Sequence, residues 1–345
     1  MKKLLHVLRG RPAEVPPIWL MRQAGRYLPE YRALRERAGS FLDLCYTPEL
    51  AEEVTLQPIR RFGFDGAILF ADILLIAQAL GQELTFVEGE GPRLSPPVDS
   101  VARLAVLRDP LEVHERLAPV YETVRRLRRS LPGSVTLIGF AGAPWTVASY
   151  MVEGRGSADQ AAARRWMYRD AKSFGSLVDL VTEATIEYLS HQIEAGAEAV
   201  KIFDSWAGSL APEPYRQWVV RPTARIVRKL GERFADVPVI GFPRGAGVKY
   251  IEFARDTKAG ALALDTGVPL EWARRELQGV TDHALALQGN FDPLLLVAGG
   301  ERMTTEARRM VEAMRSVPYV FNLGHGVLPE TDPGNIARLV AAVRG

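Results

Sequence analysis

Cysteine is nearly absent: Cys45 is the only one in 345 residues. That excludes an intrachain disulfide framework and any cysteine-rich zinc or iron–sulfur site. Asparagine occurs only at Asn290, Asn322 and Asn335, and arginine greatly outnumbers lysine. This usage fits heat adaptation and fits a GC-rich coding sequence equally well. No apolar run reaches membrane-spanning length, and the stretch Ala67–Leu80 is interrupted by Asp72 and Gln78. The formal net charge is only +2, which argues against general binding to nucleic acid or to a membrane surface. The apolar part of Met1–Arg9 is too short for a secretion signal, so a cytoplasmic location is expected. The five histidines are scattered, with no pair at metal-ligand spacing. Nothing matches a P-loop, and Gly245-Ala-Gly-Val-Lys-Tyr250 lacks the third glycine of a dinucleotide fingerprint.

With 47% hydrophobic and 24% charged residues, the chain has ample material for a packed core. Eight short apolar segments recur, each running into a small, polar or charged cluster. They are Pro17–Leu20, Gly66–Phe70, Val135–Phe140, Ala199–Phe203, Val237–Phe242, Ala261–Leu264, Ala284–Leu287 and Tyr319–Asn322. Near-continuous apolar runs predict strands buried on both faces of a parallel sheet. Between them, Glu30–Glu36, Pro48–Phe62, Leu111–Ser130, Asp170–Ala195, Pro212–Phe234, Thr305–Ser316 and Pro333–Val343 carry helical patterns. Eight alternations predict an α/β fold: one (β/α)8 TIM-barrel domain over residues 1–345, with a doubly wound sheet as the lesser alternative. The wide early spacing predicts insertions in the first half, including a hairpin at Gln82–Val98. Barrel active sites lie at the C-terminal ends of the strands, where Arg22, Asp72, Ser205, Arg244, Asp265 and His325 fall.

The segment from Ile18 to Arg32 is the densest in chemistry. An apolar strand opens into Arg22-Gln23-Ala24-Gly25-Arg26, placing two guanidiniums and several backbone N–H groups in one loop. Guanidinium binds carboxylate or phosphate bidentately, so the cluster reads as an anion site rather than a solvated basic loop. Asp72 sits in the most hydrophobic stretch of the chain. A lone carboxylate there is costly unless an arginine pairs with it or a ligand supplies hydrogen-bond donors. Lys201 falls inside a strand, where a structural or electrostatic role is preferred to a Schiff base.

Met21–Arg32 resembles the N-terminal signature of the uroporphyrinogen decarboxylase family, and Gly139–Gly154 resembles its second signature. Further matches are Phe70-Ala-Asp-Ile-Leu74, Phe203-Asp-Ser-Trp206 and Asn322-Leu-Gly-His-Gly326, in family order and over essentially the whole chain. The resemblance implies cofactor-independent conversion of the four acetates of uroporphyrinogen III to methyl groups, giving coproporphyrinogen III and four CO2. It implies that Asp72 accepts the pyrrole N–H groups and stabilises the transition state. Arg22, Gln23, Ala24, Gly25, Arg26, Tyr150, Ser205 and His325 are then expected to hold the substrate. Alternatives stay open for three: Tyr150 as a core aromatic, Ser205 as a helix cap, and His325 as a satisfied loop histidine. The proton donor is open among Arg22, Arg35, a water and a substrate carboxyl, since arginine is a poor acid. A homodimer is the family habit. Related barrels that transfer methyl groups with zinc and a corrinoid use a thiolate-rich site, which a single cysteine does not match.

Overall fold

The computed structural model describes residues 2–87 and 89–345. Its strands are β1 (Gly66–Ile68), β2 (Glu83–Val87), β3 (Gly91–Ser95), β4 (Thr136–Gly142), β5 (Ala199–Asp204), β6 (Val239–Pro243), β7 (Ala261–Ala263), β8 (Ala286–Gln288) and β9 (Tyr319–Val320). Seven of them form a parallel sheet in the order β1-β4-β5-β6-β7-β8-β9, with helices between successive strands. Every residue of β4 is buried, as an apolar run covered on both faces requires. β2 and β3 pair as the expected antiparallel hairpin.

The eighth expected strand, Pro17–Leu20, is reduced to one isolated bridge, Ile18 to Phe321. The segment still lies between the sheet's two edges. Phe321 N–H donates to Pro17 O at 2.9 Å, and Asp65 N–H donates to Ile18 O at 2.9 Å. Its own donors explain why no ladder forms. Proline has no N–H to give, Ile18 N–H goes to the Asp65 carboxylate at 2.8 Å, and Leu20 and Met21 donate to the side chains of Gln23 and Asn322.

The expected helices at Pro48–Phe62, Asp170–Ala195 and Pro333–Val343 form within a residue of their limits. Thr305–Ser316 overlaps the later part of a helix over Gly300–Ala313, which starts five residues earlier and ends three residues sooner than expected. Pro212–Phe234 is not one regular helix: a short turn at Pro212–Tyr215 widens to a π-helical turn at Arg216–Val220 before Arg221–Arg233. Pro222 provides the reason, because its ring obstructs the carbonyl four residues earlier and its missing N–H breaks the regular ladder.

The long helix Ala171–Ala195 grips β4 through Gln192. The amide accepts from Phe140 N–H at 2.9 Å and donates to Phe140 O at 3.0 Å, so a fully buried polar side chain is satisfied on both sides. Gly139 permits this approach, since a Cβ there would sit 2.5 Å from Gln192 Oε1. Lys201 on β5 is also fully buried. Its Nζ lies 3.2 Å from Met21 Sδ and 4.6–5.1 Å from the ring centres of Phe203, Phe242 and Trp19. Burial drives its pKa well below the ordinary lysine value. Enclosed by Met21, Trp19, Phe203 and Phe242, it is packed into the interior, as the structural alternative expects.

Candidate active site

The loops after the strand ends bring Arg22, Asp72, Tyr150 and His325 into one electrostatic neighbourhood. Asp72 follows β1 and is half-buried. One carboxylate oxygen accepts from Leu74 N–H at 2.8 Å, and the other has no hydrogen-bond donor among the described residues. Burial pushes its pKa up, opposed by the Leu74 hydrogen bond and by the charge of Arg22. No arginine pairs with it within salt-bridge distance, so the reading as a structural ion pair fails.

Arg22 is exposed and has a left-handed backbone, with φ of 58°. Its side chain runs across Gly326, where a Cβ would come within 2.3 Å of Arg22 Cδ and 2.6 Å of Cγ. Any larger residue at Gly326 would displace the Arg22 side chain. The Arg22 charge reaches Asp72, Tyr150 and His325 alike. Tyr150, in the last turn of the helix Pro144–Glu153, stacks on Trp206 at 4.3 Å between ring centres. Its hydroxyl is held in the neutral form by burial and by Asp72. His325 makes no hydrogen bond within the described chain. Burial, then Arg22, Arg244 and Lys201, drive its pKa down to about 4. It is therefore a neutral imidazole, able to donate one N–H to an anion.

Other expected residues divide. Ser205 follows β5 with an unengaged hydroxyl; the 3-10 turn beyond it is capped by Trp206, so Ser205 is no helix cap. The N–H groups of Ala24, Gly25 and Arg26 are free of partners within the described chain, as an anion loop needs. Gln23 is different. Its N–H donates to Leu20 O at 3.0 Å, and its buried amide bridges Leu20 N–H to Gly66 O. It braces the loop, with its amide oxygen and one of its two amide N–H groups already committed. Arg26 is exposed, and its charge is felt at Tyr31 rather than at Asp72. Arg35 donates to Gly39 O at 2.8 Å, and its field meets that of Asp72 only at the buried Cys45 between them. Asp265 ties loops together by accepting from Gly245 N–H, Gly267 N–H and the Tyr250 hydroxyl.

Two groupings were invisible in the sequence. Asp204, at the end of β5, is fully buried with one oxygen bonded to Thr146 Oγ1 at 2.6 Å and the other unpartnered. Burial raises its pKa to about 7, against the pull of the Thr146 and Trp206 donors. His114 and His191, judged scattered, stack with ring centres 3.6 Å apart because two neighbouring helices bring them together. The Glu-x-x-x-His spacing of Glu187 and His191 was the one available signal.

The family model described as uroporphyrinogen decarboxylase matches residues 1–345. The chain belongs to the uroporphyrinogen decarboxylase family. It is 58% identical over 344 residues to the uroporphyrinogen decarboxylase of Paracoccus denitrificans, covering all of this chain and 99% of that protein. The family member from Sphingopyxis alaskensis is 55% identical, over all of this chain and 98% of its own length. Among solved structures, a methyltransferase from Methanosarcina mazei superposes with a TM-score of 0.80 at 22% identity, covering 99% of this chain and 97% of that one. At that identity the likeness concerns fold alone.

The backbone of Arg22 supports a functional constraint in this family member. A left-handed non-glycine residue costs about 1–2 kcal/mol, roughly what a glycine at the position would lose in unfolded-chain entropy. Arg22→Gly is therefore expected to change stability by less than about 1 kcal/mol in urea titration. On the expectation that Arg22 holds a substrate carboxylate, the substitution should meanwhile weaken substrate binding by roughly 10–100-fold. A large stability loss with intact affinity would make Arg22 a structural residue.

Proposed function

We propose that the protein is a carboxy-lyase that removes the four acetate carboxylates of uroporphyrinogen III, giving coproporphyrinogen III and four CO2 in tetrapyrrole biosynthesis. The observation that carries this reading is Asp72: a half-buried carboxylate with one oxygen anchored and one free, near Arg22 and Tyr150, in a member of this family whose His325 feels the same Arg22 charge. The free oxygen is suited to accept from pyrrole N–H groups. Protonation of the ring α-carbon next to the carbon that bears the acetate makes a cation beside Asp72. That cation takes up the electron pair as the bond to the carboxylate breaks and CO2 leaves. Protonation of the exocyclic methylene carbon, with loss of the proton first added to the ring, then yields the methyl group and restores the pyrrole. Asp72 stabilises the cation without moving a proton, as a preorganised charge. Arg22, the free N–H groups of Ala24–Arg26, neutral His325 and the hydroxyls of Tyr150 and Ser205 hold the remaining carboxylates. Of the two arginines considered for proton delivery, Arg22 shares the field of Asp72, which favours it over Arg35.

The same reading includes closure of the sheet into a single-domain (β/α)8 barrel over residues 1–345. Pro17–Leu20 acts as the eighth stave, supported by its hydrogen bonds to both sheet edges. A cytoplasmic homodimer completes it, on family likeness. None of the described helices is long and apolar enough to cross a membrane.

The test is incubation of chelator-treated protein with uroporphyrinogen III, with products resolved by carboxylate number. A four-carboxylate product formed at an undiminished rate is expected. A propionate lies one carbon further from the ring, so its electrons cannot reach the same sink. No decarboxylation, loss of propionates, or reactivation by added metal or pyridoxal phosphate would overturn the reading.

A further inference from the structure

Away from the candidate site, two neighbouring helices gather a second set of chemistry-bearing side chains. Glu187 and His191 lie one turn apart on a single face of the helix Ala171–Ala195. His114 opens the adjoining helix Val113–Ser130. We propose that His114, Glu187 and His191 bind one divalent transition-metal ion of the zinc class. One ligand atom from each residue lies within 4.8 Å of the others, and His114 Nε2 is 3.8 Å from Glu187 Oε2. Bonds to zinc of about 2.0–2.2 Å put ligand atoms roughly 3–3.6 Å apart, so the cluster needs only a modest contraction. The two stacked rings must splay so that their lone pairs converge.

What distinguishes this cluster is that each ligand already has its non-coordinating atom held. His191 Nδ1 lies 3.1 Å from Glu187 O, an acceptor only, so Nδ1 carries the proton and Nε2 keeps its lone pair. His114 Nδ1 is engaged with the Tyr121 hydroxyl at 3.0 Å, leaving Nε2 outward. Glu187 Oε1 accepts from Arg233 at 3.2 Å, leaving Oε2 toward His114. Metal-binding histidines and carboxylates are oriented in this manner by hydrogen bonds behind them. Arg233 adds an opposing positive charge, which its second partner, Glu194, offsets. Two imidazoles and one carboxylate suit zinc, nickel or copper and not magnesium or calcium. The side chains of His114 and Glu187 are 24% and 21% exposed, so an ion from solution can reach them.

The experiment is calorimetric titration of chelator-treated, full-length protein with zinc chloride, then with magnesium chloride. One zinc per chain and no magnesium is the expected result. His114→Ala and His191→Ala should each weaken zinc binding by at least about 100-fold, the upper end of what loss of a supporting partner costs a metal site. Glu187→Gln, which keeps the side chain's shape, provides a folded comparison if either alanine variant unfolds. It should weaken zinc while leaving the circular dichroism spectrum unchanged. Absence of zinc binding, or zinc binding untouched by all three substitutions, would overturn the proposal.

Discussion

Asp72→Asn is expected to lower turnover by on the order of 1,000-fold or more while the protein remains folded. Asparagine is nearly isosteric, and its carbonyl oxygen can still accept from Leu74 N–H. What disappears is the negative charge beside the developing pyrrolium. Removing one preorganised stabilising group from a water-poor site costs about 100–1,000-fold, and a full charge opposite a full charge costs more. The loss should fall on kcat, with KM changed much less, because the cation exists only after the substrate is bound and protonated. Single-turnover rates beside a circular dichroism spectrum make the measurement. A folded asparagine variant with ordinary turnover would remove Asp72 from the chemistry.

The second large effect concerns stability and pH. Burial holds the Asp204 carboxyl at about 7 in the folded protein, against an ordinary value of 3.8. Between those values the folded state keeps a proton that the unfolded chain releases. Stability from this group is therefore fully present below about 4 and is lost as pH rises through about 7. At 1.36 kcal/mol per unit, the full swing is on the order of 4 kcal/mol, a large share of a typical 5–15 kcal/mol. Asp204→Asn mimics the protonated form, keeping an acceptor for the Thr146 hydroxyl and placing donors at the unpartnered oxygen. Urea titrations at pH 5 and pH 8 should show the variant losing much less stability than the wild type across that interval. Equal losses would mean that Asp204 is ionised throughout. Comparing variant with wild type cancels the opposite contribution of His325, whose depressed pKa makes stability fall as pH is lowered.

Local pattern made the elements legible where it was uninterrupted. β4 and β5 read as strands because every position is apolar or buried, and the hairpin at Gln82–Val98 was marked by its glycines and prolines. Pattern failed where neighbours captured backbone donors: Pro17–Leu20 is apolar enough for a strand, yet Asp65, Gln23 and Asn322 take the N–H groups that a ladder needs. The site was legible as residue types at strand ends, and Asp72 stood out as a charge among hydrophobes. Which of these residues meet was not. Arg35 and Arg22 look equivalent in sequence, but a hydrogen bond to Gly39 engages one while the charge of the other reaches Asp72. Gln23 resembles a ligand-binding amide until its partners are seen. The stacking of His114 on His191 depends on how two distant helices lie together, which no spacing rule contains.

The lock between the Arg22 loop and the segment Asn322–Val327 has a consequence for synthesis. Met21 N–H donates to Asn322 Oδ1 across 301 residues of chain, and Val327 N–H donates back to Met21 O. On the ribosome, residues 21–26 emerge early, and their partners arrive only after almost everything else has been made. Contacts so distant in sequence are slow to close and are postponed until the intervening chain is ordered. A nascent protein arrested before Asn322 would thus carry Asp72, Tyr150 and Ser205 but leave the Arg22 loop unbraced. Competence for binding should switch on once Asn322–Val327 have emerged and closed on the Arg22 loop.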